Sequence, residues 1–337
     1  MKLLVTGSAG FIGSNYVLKR LSAHHDDEIV SLDALTYAGN IHNLASVMDD
    51  KRHTFIQGEI TDRKLLADIF AQRKFDAVIN FAAESHVDRS IENPEDFLDT
   101  NVMGTFRLLE QAKSSHVGRF LQISTDEVYG SLGLHDPGFT ESSAIKPSSP
   151  YSASKASADL LALSYHATYA LPVIVTRCSN NYGPYQFPEK MIPLFVNNLM
   201  NDKPVPIYGK GENVRDWIHV HDHNRAVDDV LEKGRPGAVY NIGGGCEKQN
   251  IEIADMLLGI LDKPARLKIF VPDRPGHDMR YAIDYTKIKT ELGWEPKIDI
   301  ETGLAETVKW YKTNQEWLTG VTGGAYRDYY ERMYKNR

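Results

Sequence analysis

Along the first half of the chain, apolar positions alternate between two spacings. Short apolar or β-branched runs, typical of strands, occupy residues 3–6, 28–32, 54–57, 77–81, 119–124 and 173–177. Longer amphipathic stretches, typical of helices, occupy residues 12–23, 63–72, 94–113 and 152–170. Strands separated by helices are joined by crossovers, so the pattern predicts a doubly wound α/β fold with a mostly parallel sheet. In such a sheet the site lies beyond the carboxyl ends of the strands.

The pattern becomes less regular after Arg177. Five prolines punctuate residues 184–206 and leave room for one helix, at residues 192–200. Short strands and turns are expected from there to about Arg280, which indicates a smaller, irregular lobe. Residues 216–220 and 239–243 are predicted to be strands that return to the main sheet. We therefore expect one domain over residues 1–183, with returning segments at about 213–260, and a second lobe over residues 184–212 and 261–337.

Composition narrows the classes of function. The 38 basic and 45 acidic residues give a net charge of −7, which argues against an extended nucleic-acid surface. Cys178 and Cys246 are the only cysteines, too few for a disulfide framework. The apolar start is interrupted at Gly7, and no stretch has the length of a membrane span. These features predict a soluble, cytoplasmic protein with a small-molecule substrate.

A glycine-rich turn lies between the first predicted strand and the first predicted helix. Gly7, Gly10 and Gly13 give it the spacing of a dinucleotide-binding turn, in which a diphosphate rests on backbone N–H groups at the helix start. Asp33 follows at the end of the second strand, where a carboxylate accepts hydrogen bonds from ribose hydroxyls and repels a 2′-phosphate. The combination predicts a Rossmann sheet that binds NAD rather than NADP.

Two groups of residues suggest the chemistry. Tyr151 and Lys155 lie about one turn apart on the same face of a predicted helix. A neighbouring ammonium favours the phenolate, so Tyr151 can remove a hydroxyl proton while a hydride leaves the same carbon for NAD. Thr125, Asp126 and Glu127 follow a predicted strand. Adjacent acids in different environments can divide the acid and base roles that the elimination of water requires.

These motifs together resemble the dTDP-glucose 4,6-dehydratase family of the extended short-chain dehydrogenases. The resemblance extends from Met1 to about Tyr311 and rests on residues 7–13, Asp33, and residues 82–88, 124–130, 151–155, 177–185 and 274–281. The Thr-Asp-Glu triplet is its most discriminating part, because sugar 4-epimerases share the glycine turn and the Tyr–Lys pair but generally lack the acid pair.

The resemblance implies a reaction in three steps. Tyr151, assisted by Lys155 and Thr125, would oxidise C4 of the glucose. Glu127 would then remove the C5 proton while Asp126 protonates the departing C6 hydroxyl. Return of the hydride to C6 would give a 4-keto-6-deoxy sugar and regenerate NAD.

The resemblance also implies binding residues and an assembly. The first domain would bind NAD through Gly7, Gly10, Phe11, Ile12, Gly13, Asp33, Glu59, Ile60, Ala82, Ala83, Ser85, Thr100, Tyr151, Lys155, Cys178 and Asn181. The nucleotide sugar would contact Ser85, His86, Thr125, Asn180, Glu189, Lys190, Pro206, Tyr208, Arg215, Asn250, Asp273, Arg274 and His277, mostly in the second lobe. Ala34 stands where the family often has Lys, and Glu59 where it usually has Asp. Residues 94–113 and 152–170 would pair two subunits into a homodimer.

Three histidines raise the question of a metal. His219, His221 and His223 would share one face of a strand, and imidazole is a common metal ligand. The family has a strand-to-helix turn here without a metal, so we predict no metal, with Asp222 capping a helix over residues 225–231.

Alternatives of two kinds remain open at this point. The same scaffold could serve a nucleotide-sugar 4-epimerase or decarboxylase, or a UDP-glucose 4,6-dehydratase. A protein of another class, a non-catalytic NAD-binding scaffold, would need neither the Tyr–Lys pair nor the acids.

Overall fold

The computed structural model describes residues 1–273 and 278–323. Its strands are β1 (Lys2–Thr6), β2 (Glu28–Asp33), β3 (His53–Gln57), β4 (Ala77–Asn80), β5 (Arg119–Thr125), β6 (Val173–Cys178), β7 (Asn180–Tyr182), β8 (Val205–Tyr208), β9 (Val214–His219), β10 (Val239–Ile242), β11 (Glu247–Gln249) and β12 (Lys268–Val271). Its helices are α1 (Phe11–Ala23), α2 (Arg63–Gln72), α3 (Val87–Glu92), α4 (Pro94–Phe97), α5 (Thr105–Ser114), α6 (Pro150–Tyr169), α7 (Met191–Met200), α8 (Val220–Lys233), α9 (Asn250–Leu261), α10 (Thr286–Leu292), α11 (Ile300–Thr313) and α12 (Gln315–Val321).

A parallel sheet forms the centre of the described chain. Its seven strands lie in the order β10-β6-β5-β4-β1-β2-β3, and every neighbouring pair is parallel. The predicted α/β fold with a doubly wound parallel sheet is confirmed. The strand order reverses between β1 and β4, where the carboxyl ends of parallel strands leave a crevice for a ligand.

Side chains alternate between the two faces of this sheet along each strand, and helices bury both faces. On β1, Leu3 and Val5 pack with Val17 of α1 and Val227 of α8 in one apolar cluster. Leu4 points the other way, into a cluster whose helical members come from α2, α5 and α6. Burial on both faces explains why these strands read as continuous apolar runs in the sequence.

A second set of elements has its own apolar cluster. Side chains of α7, α9 and α11 pack there with β8, around Phe195, Leu257 and Leu304. Two small sheets accompany them, one in the order β11-β9-β7 and one of β12 with β8. The division into two sequence domains stays a prediction.

Two details of the irregular half differ from the sequence prediction. Residues 239–243 do return to the main sheet, as β10, but the predicted strand over residues 216–220 does not. It corresponds to β9, which pairs in parallel with β7 because the chain leaves the main sheet at Ser179. The prediction of only short strands and turns also missed α9, which begins with a capping box between Gln249 and Glu252.

The predicted helix over residues 94–113 is interrupted. Between α4 and α5 the chain forms a π-helical segment, Leu98–Gly104. Such segments are frequent at functional sites, and Thr100 and Met103 line the cavity described below. Among the described helices, none has the length and apolar character needed to cross a bilayer.

Candidate active site

The glycine turn joins β1 to α1 at the centre of the sheet. Gly7 has a φ of +65°, and a Cβ atom there would lie 2.6 Å from the Ala82 nitrogen. A Cβ on Gly13 would lie 2.2 Å from the Gly7 carbonyl oxygen, so only glycine allows the turn and the helix to approach this closely. The backbone of the turn therefore borders the cavity at Gly7, Gly10 and Gly13, beside the start of α1.

Asp33 ends β2 beside this turn. One carboxylate oxygen accepts a hydrogen bond from the Ala9 N–H at 2.8 Å, and the other accepts from the Leu35 N–H at 2.8 Å. Burial raises the pKa of Asp33, and these backbone donors oppose that effect. The carboxylate is thus fixed at the edge of the crevice.

A cavity of about 740 Å³ opens at the carboxyl ends of β1 to β6. Every residue predicted to bind NAD lines it, from Gly7 to Asn181. Predicted catalytic residues line the same cavity, including Glu127 and Tyr151, as do Ser85, Asn180, Glu189 and Lys190 from the predicted substrate contacts. The structure therefore brings these residues together, while their individual roles stay predictions.

The acid pair follows the end of β5. The Thr125 hydroxyl donates to Asp126 Oδ1 at 3.2 Å and accepts from the Glu127 N–H at 3.2 Å. Asp126 is buried, and its Oδ2 has no hydrogen-bond partner among the described residues. Burial raises the pKa of Asp126 well above its ordinary value, and the charges of Glu127 and Asp216 raise it further. The surroundings of Asp126 therefore favour its protonated form, and Asp126 lies beside a second carboxyl group.

The Tyr–Lys pair lies at the start of α6. A capping box between Ser149 and Ser152, with Pro150 at the first helical position, starts this helix just before Tyr151. The Lys155 ammonium donates to the Ile123 carbonyl oxygen of β5 at 2.6 Å, and burial lowers the pKa of Lys155. This contact holds the first turns of α6 against the strand that carries the acid pair.

The segment after β6 closes the cavity near Lys155. Cys178 Sγ donates to the Ser124 carbonyl oxygen at 3.3 Å, and the Asn181 amide donates to the same sulfur at 3.3 Å. Burial raises the pKa of the Cys178 thiol to about 12, so this cysteine is a neutral packing group at neutral pH.

Residues of the proline-rich stretch form the opposite wall. The Lys190 ammonium donates to the Ser85 carbonyl oxygen at 2.9 Å. The Glu189 carboxylate lies 3.3 Å from Arg89, and 2% of its side chain is exposed. Two predicted substrate contacts from distant parts of the sequence, Ser85 and Lys190, thus meet at this wall.

Several predicted substrate contacts lie elsewhere. His86, Pro206, Tyr208, Arg215, Asn250 and Asp273 are described but do not line the 740 Å³ cavity. Pro206 and Tyr208 belong to β8, and Arg215 of β9 has its guanidinium 4.4 Å from the Tyr281 ring centroid. Arg274 and His277 lie outside the described residues. The roles of all eight stay predictions.

Sequence reasoning missed other residues of the cavity wall. Glu84, Gln186 and Phe187 line it, as do Thr36 and Gly39. Each lies within six residues of a predicted site residue along the chain, so proximity to Asp33, Ser85 and Glu189 was the available signal. Helix-borne Arg107 and Met103 also line it, and their positions depend on packing that the sequence pattern does not specify.

The three histidines do not share one strand. His219 ends β9, whereas His221 and His223 belong to the first turn of α8. Among the described residues, no group of three His, Cys, Asp or Glu side chains is placed to hold a metal ion. The predicted Asp222 cap is wrong, because His219 caps α8 by accepting from the His221 N–H. Asp222 instead accepts from the Lys297 and Ile298 N–H groups.

Together, the fold and the site are those of an NAD-dependent enzyme of the short-chain dehydrogenase class. The sequence family described as GDP-mannose 4,6 dehydratase matches residues 4–307. The dTDP-glucose 4,6-dehydratase of Xanthomonas campestris pv. campestris is 51% identical over 342 residues, which cover 96% of this chain and 97% of that protein. The chain belongs to the dTDP-glucose 4,6-dehydratase family.

Two solved structures agree with this assignment. DesIV, a dTDP-glucose 4,6-dehydratase of Streptomyces venezuelae crystallised with NAD, is 51% identical with a TM-score of 0.92, over 95% of this chain and 100% of that chain. The dTDP-glucose 4,6-dehydratase of Bacillus anthracis in complex with NAD is 52% identical with a TM-score of 0.89, over 95% and 99% of the two chains.

Proposed function

We propose that this protein dehydrates dTDP-glucose to dTDP-4-keto-6-deoxyglucose and retains NAD through the catalytic cycle. The observation that carries the proposal is the buried Asp126, whose pKa is raised, beside Glu127 in the same cavity as Tyr151 and Lys155. Oxidation at C4 alone would use the Tyr–Lys pair. An elimination also needs an acid for the departing hydroxyl and a base for a carbon-bound proton, and the acid pair supplies both.

The cavity fits NAD. The glycine turn leaves the backbone at the start of α1 free to meet a diphosphate, and Asp33 stands at the ribose position with its carboxylate fixed by two backbone donors. NAD, when bound, would accept a hydride from C4 of the sugar and return it to C6.

The chain's own residues move the protons. Tyr151 takes the proton of the C4 hydroxyl while Thr125 holds that oxygen, which leaves a ketone at C4. The ketone makes the C5 proton acidic enough for Glu127 to remove, and Asp126 gives its proton to the C6 hydroxyl, which departs as water. After a hydride has been added to C6, Glu127 returns its proton to C5, and Tyr151 and Asp126 recover their starting protonation states by exchange with solvent. The sugar loses one water, its C4 becomes oxidised, its C6 becomes reduced, and no external oxidant is consumed.

The environment of Tyr151 bears on the first step. Burial raises the pKa of Tyr151 well above its ordinary value, the charge of Glu127 adds to this, and the nearby Thr125 hydroxyl opposes it. Loss of the phenol proton is therefore unfavourable unless positive charge lies beside it. The Lys155 ammonium and a bound nicotinamide ring would both supply such charge.

Two further parts of the proposal concern assembly and location. Leu98, before α5, and Leu160, on α6, are 54% and 56% exposed, which supports a homodimer formed through these helices. Cys178 and Cys246 are both free, which suits a reducing cytoplasm.

Incubation of the purified protein with dTDP-glucose and no added NAD tests the proposal. We expect the product mass to be lower by one water, with no net accumulation of reduced nicotinamide. UDP-glucose is the matched control for the base, and it should react more slowly. If dTDP-glucose is unchanged even with NAD added, while UDP-glucose is dehydrated or epimerised, the assigned substrate or reaction is wrong.

A further inference from the structure

A second cavity shares part of its wall with the 740 Å³ cavity, near Glu189. The second cavity, of about 1350 Å³, is lined by Tyr37, Arg89 and Phe187, and by residues of α12 and the segment before it. Phe187 lines both cavities, whereas Glu189 lines only the first. Tyr37 and Arg89 line only the second cavity, so they approach Glu189 from outside the cavity that the predicted catalytic residues line.

Close contacts join these side chains. Arg89 Nε donates to Glu189 Oε2 at 3.3 Å, and the Tyr37 hydroxyl lies near enough to the same carboxylate to lower its pKa. The Arg89 guanidinium also lies 3.8 Å from the centroid of the Tyr37 ring, which in turn packs edge-on against Phe187 at 5.9 Å. Stacking on an aromatic ring fixes the plane of the guanidinium, so the donor that meets Glu189 has little freedom to rotate.

This arrangement fixes a buried acceptor. An ionised carboxylate has about four lone-pair sites, and these neighbours use only some of them. Glu189 lines the first cavity, where a sugar hydroxyl could donate to one of the remaining sites. Holding the carboxylate in one orientation before the sugar arrives removes an ordering cost from binding.

We propose that Tyr37 and Arg89 are positioning residues that orient the Glu189 carboxylate toward the hydroxyl groups of the bound sugar. The inference rests on the proposed function, because it takes Glu189 to be a sugar contact. It makes the Tyr37–Arg89 pair a determinant of affinity for the sugar rather than for the nucleotide.

The charges around Glu189 give the pair a second effect. Burial raises the pKa of Glu189, and Lys190, Arg89 and the Tyr37 hydroxyl oppose it. Glu84, which is also close enough to interact electrostatically, works in the other direction. Without Arg89 the Glu189 carboxylate would take up a proton at a higher pH, and an acceptor of hydrogen bonds would be lost as the pH falls through that pKa.

The test compares Arg89→Met, Arg89→Lys and Tyr37→Phe with the wild type. KM for dTDP-glucose and the inhibition constant of dTDP, which lacks the sugar, are measured with the melting temperature as a check on folding. For Arg89→Met we expect KM to rise roughly tenfold, the loss of one charged hydrogen bond, with a smaller change in kcat. Inhibition by dTDP should not change. The acid limb of kcat/KM should move to higher pH, and Arg89→Lys should restore part of the loss.

Tyr37→Phe keeps the aromatic ring and removes only the hydroxyl, so it tests the contact even if Arg89→Met folds poorly. Its KM should rise less than that of Arg89→Met. Unchanged KM and pH profile in both variants would overturn the inference, as would an equal rise in KM and in the dTDP inhibition constant. A wild type that does not turn over dTDP-glucose would instead refute the proposed function, and this inference with it.

Discussion

At the scale of residues, the site separates two adjacent acids. Asp126 is 3% exposed and receives a hydrogen bond from Thr125, whereas Glu127 is half-buried on the cavity wall. Burial together with the negative charges of Glu127 and Asp216 raises the pKa of Asp126 well above its ordinary value and so favours the protonated acid. The raised pKa also gives a direction for activity: the acid role is available below that pKa and is lost as the pH rises through it.

Replacing each acid by its amide should separate the two proton transfers. In heavy water, Asp126→Asn should still exchange the C5 hydrogen of the substrate, because Glu127 remains, but release product about 10²–10⁴-fold more slowly. Glu127→Gln should lose both the exchange and the product. Mass spectrometry of recovered dTDP-glucose and of product measures both outcomes.

Tyr151→Phe is the control for this pair of variants. It blocks C4 oxidation, so neither exchange nor dehydration should occur, although Asp126 and Glu127 are intact. The assigned roles would be reversed if Glu127→Gln kept the C5 exchange and Asp126→Asn lost it.

At the scale of elements, local periodicity predicted the main sheet well. The six predicted strands and α1, α2, α6 and α7 form within two residues of their expected ends, because strands buried on both faces and helices with one apolar stripe leave clear patterns. The prediction failed where partners far away in the sequence decide the outcome. β9 joins β7 instead of the main sheet, and Asp222 satisfies backbone groups near residue 297 rather than capping α8.

The candidate site was predictable to a similar extent and for a related reason. Glycines and acids at strand ends report a local geometry, so the residues from Gly7 to Lys155 were found from their spacing or from the family motif. Arg89 and Tyr37 lie 100 and 152 residues before Glu189 in the sequence, and no local pattern predicts that they interact with it.

The junction of β9 and α8 should make the protein sensitive to acid. Burial lowers the pKa of His219 to about 4 and that of His223 to about 3, whereas an unfolded histidine titrates near 6.5. Each folded imidazole is thus neutral where the unfolded one is charged. The stability that this contributes is complete above about pH 6.5 and is lost as the pH falls below it, by about 1.4 kcal/mol per pH unit for each histidine.

Urea unfolding at several pH values measures this effect with His223→Leu. The slope of unfolding free energy against pH should become less steep by about 1.4 kcal/mol per pH unit between roughly pH 6 and pH 4. Asp216, whose pKa burial raises to about 6, contributes in the opposite direction and cancels in the comparison with wild type. His25→Leu, in an exposed turn, is the matched control. Equal slopes for wild type and His223→Leu would contradict the assignment.

At the scale of the whole molecule, both sets of elements contribute to the site. Asp33 and Asp126 come from the ends of main-sheet strands and Lys155 from α6, and the stretch leading into α7 supplies Glu189 and Lys190. Asp216 of β9 accepts hydrogen bonds from the Gly244 and Cys246 N–H groups, which follow β10 of the main sheet. These bonds connect β9 to the main sheet at a residue whose charge affects the pKa of Asp126. Catalysis by the acid pair therefore depends on how the second set of elements packs against the first.

The exposed face of α6 and the segment before α5 should determine whether two such molecules associate. Leu98 and Leu160 expose more than half of their side chains, and a twofold interface repeats each residue, so one lysine on this face would place two charges between the subunits. We expect Leu160→Lys to shift the protein from dimer to monomer in sedimentation equilibrium. Leu134→Lys is the matched control, since Leu134 is equally exposed, at 56%, but lies on a loop away from these helices. If Leu134→Lys dissociates the dimer and Leu160→Lys does not, the subunits meet through another face. A monomeric wild type would remove the dimer from the proposal and leave the chemistry of the cavity unchanged, because every residue of that chemistry comes from a single chain.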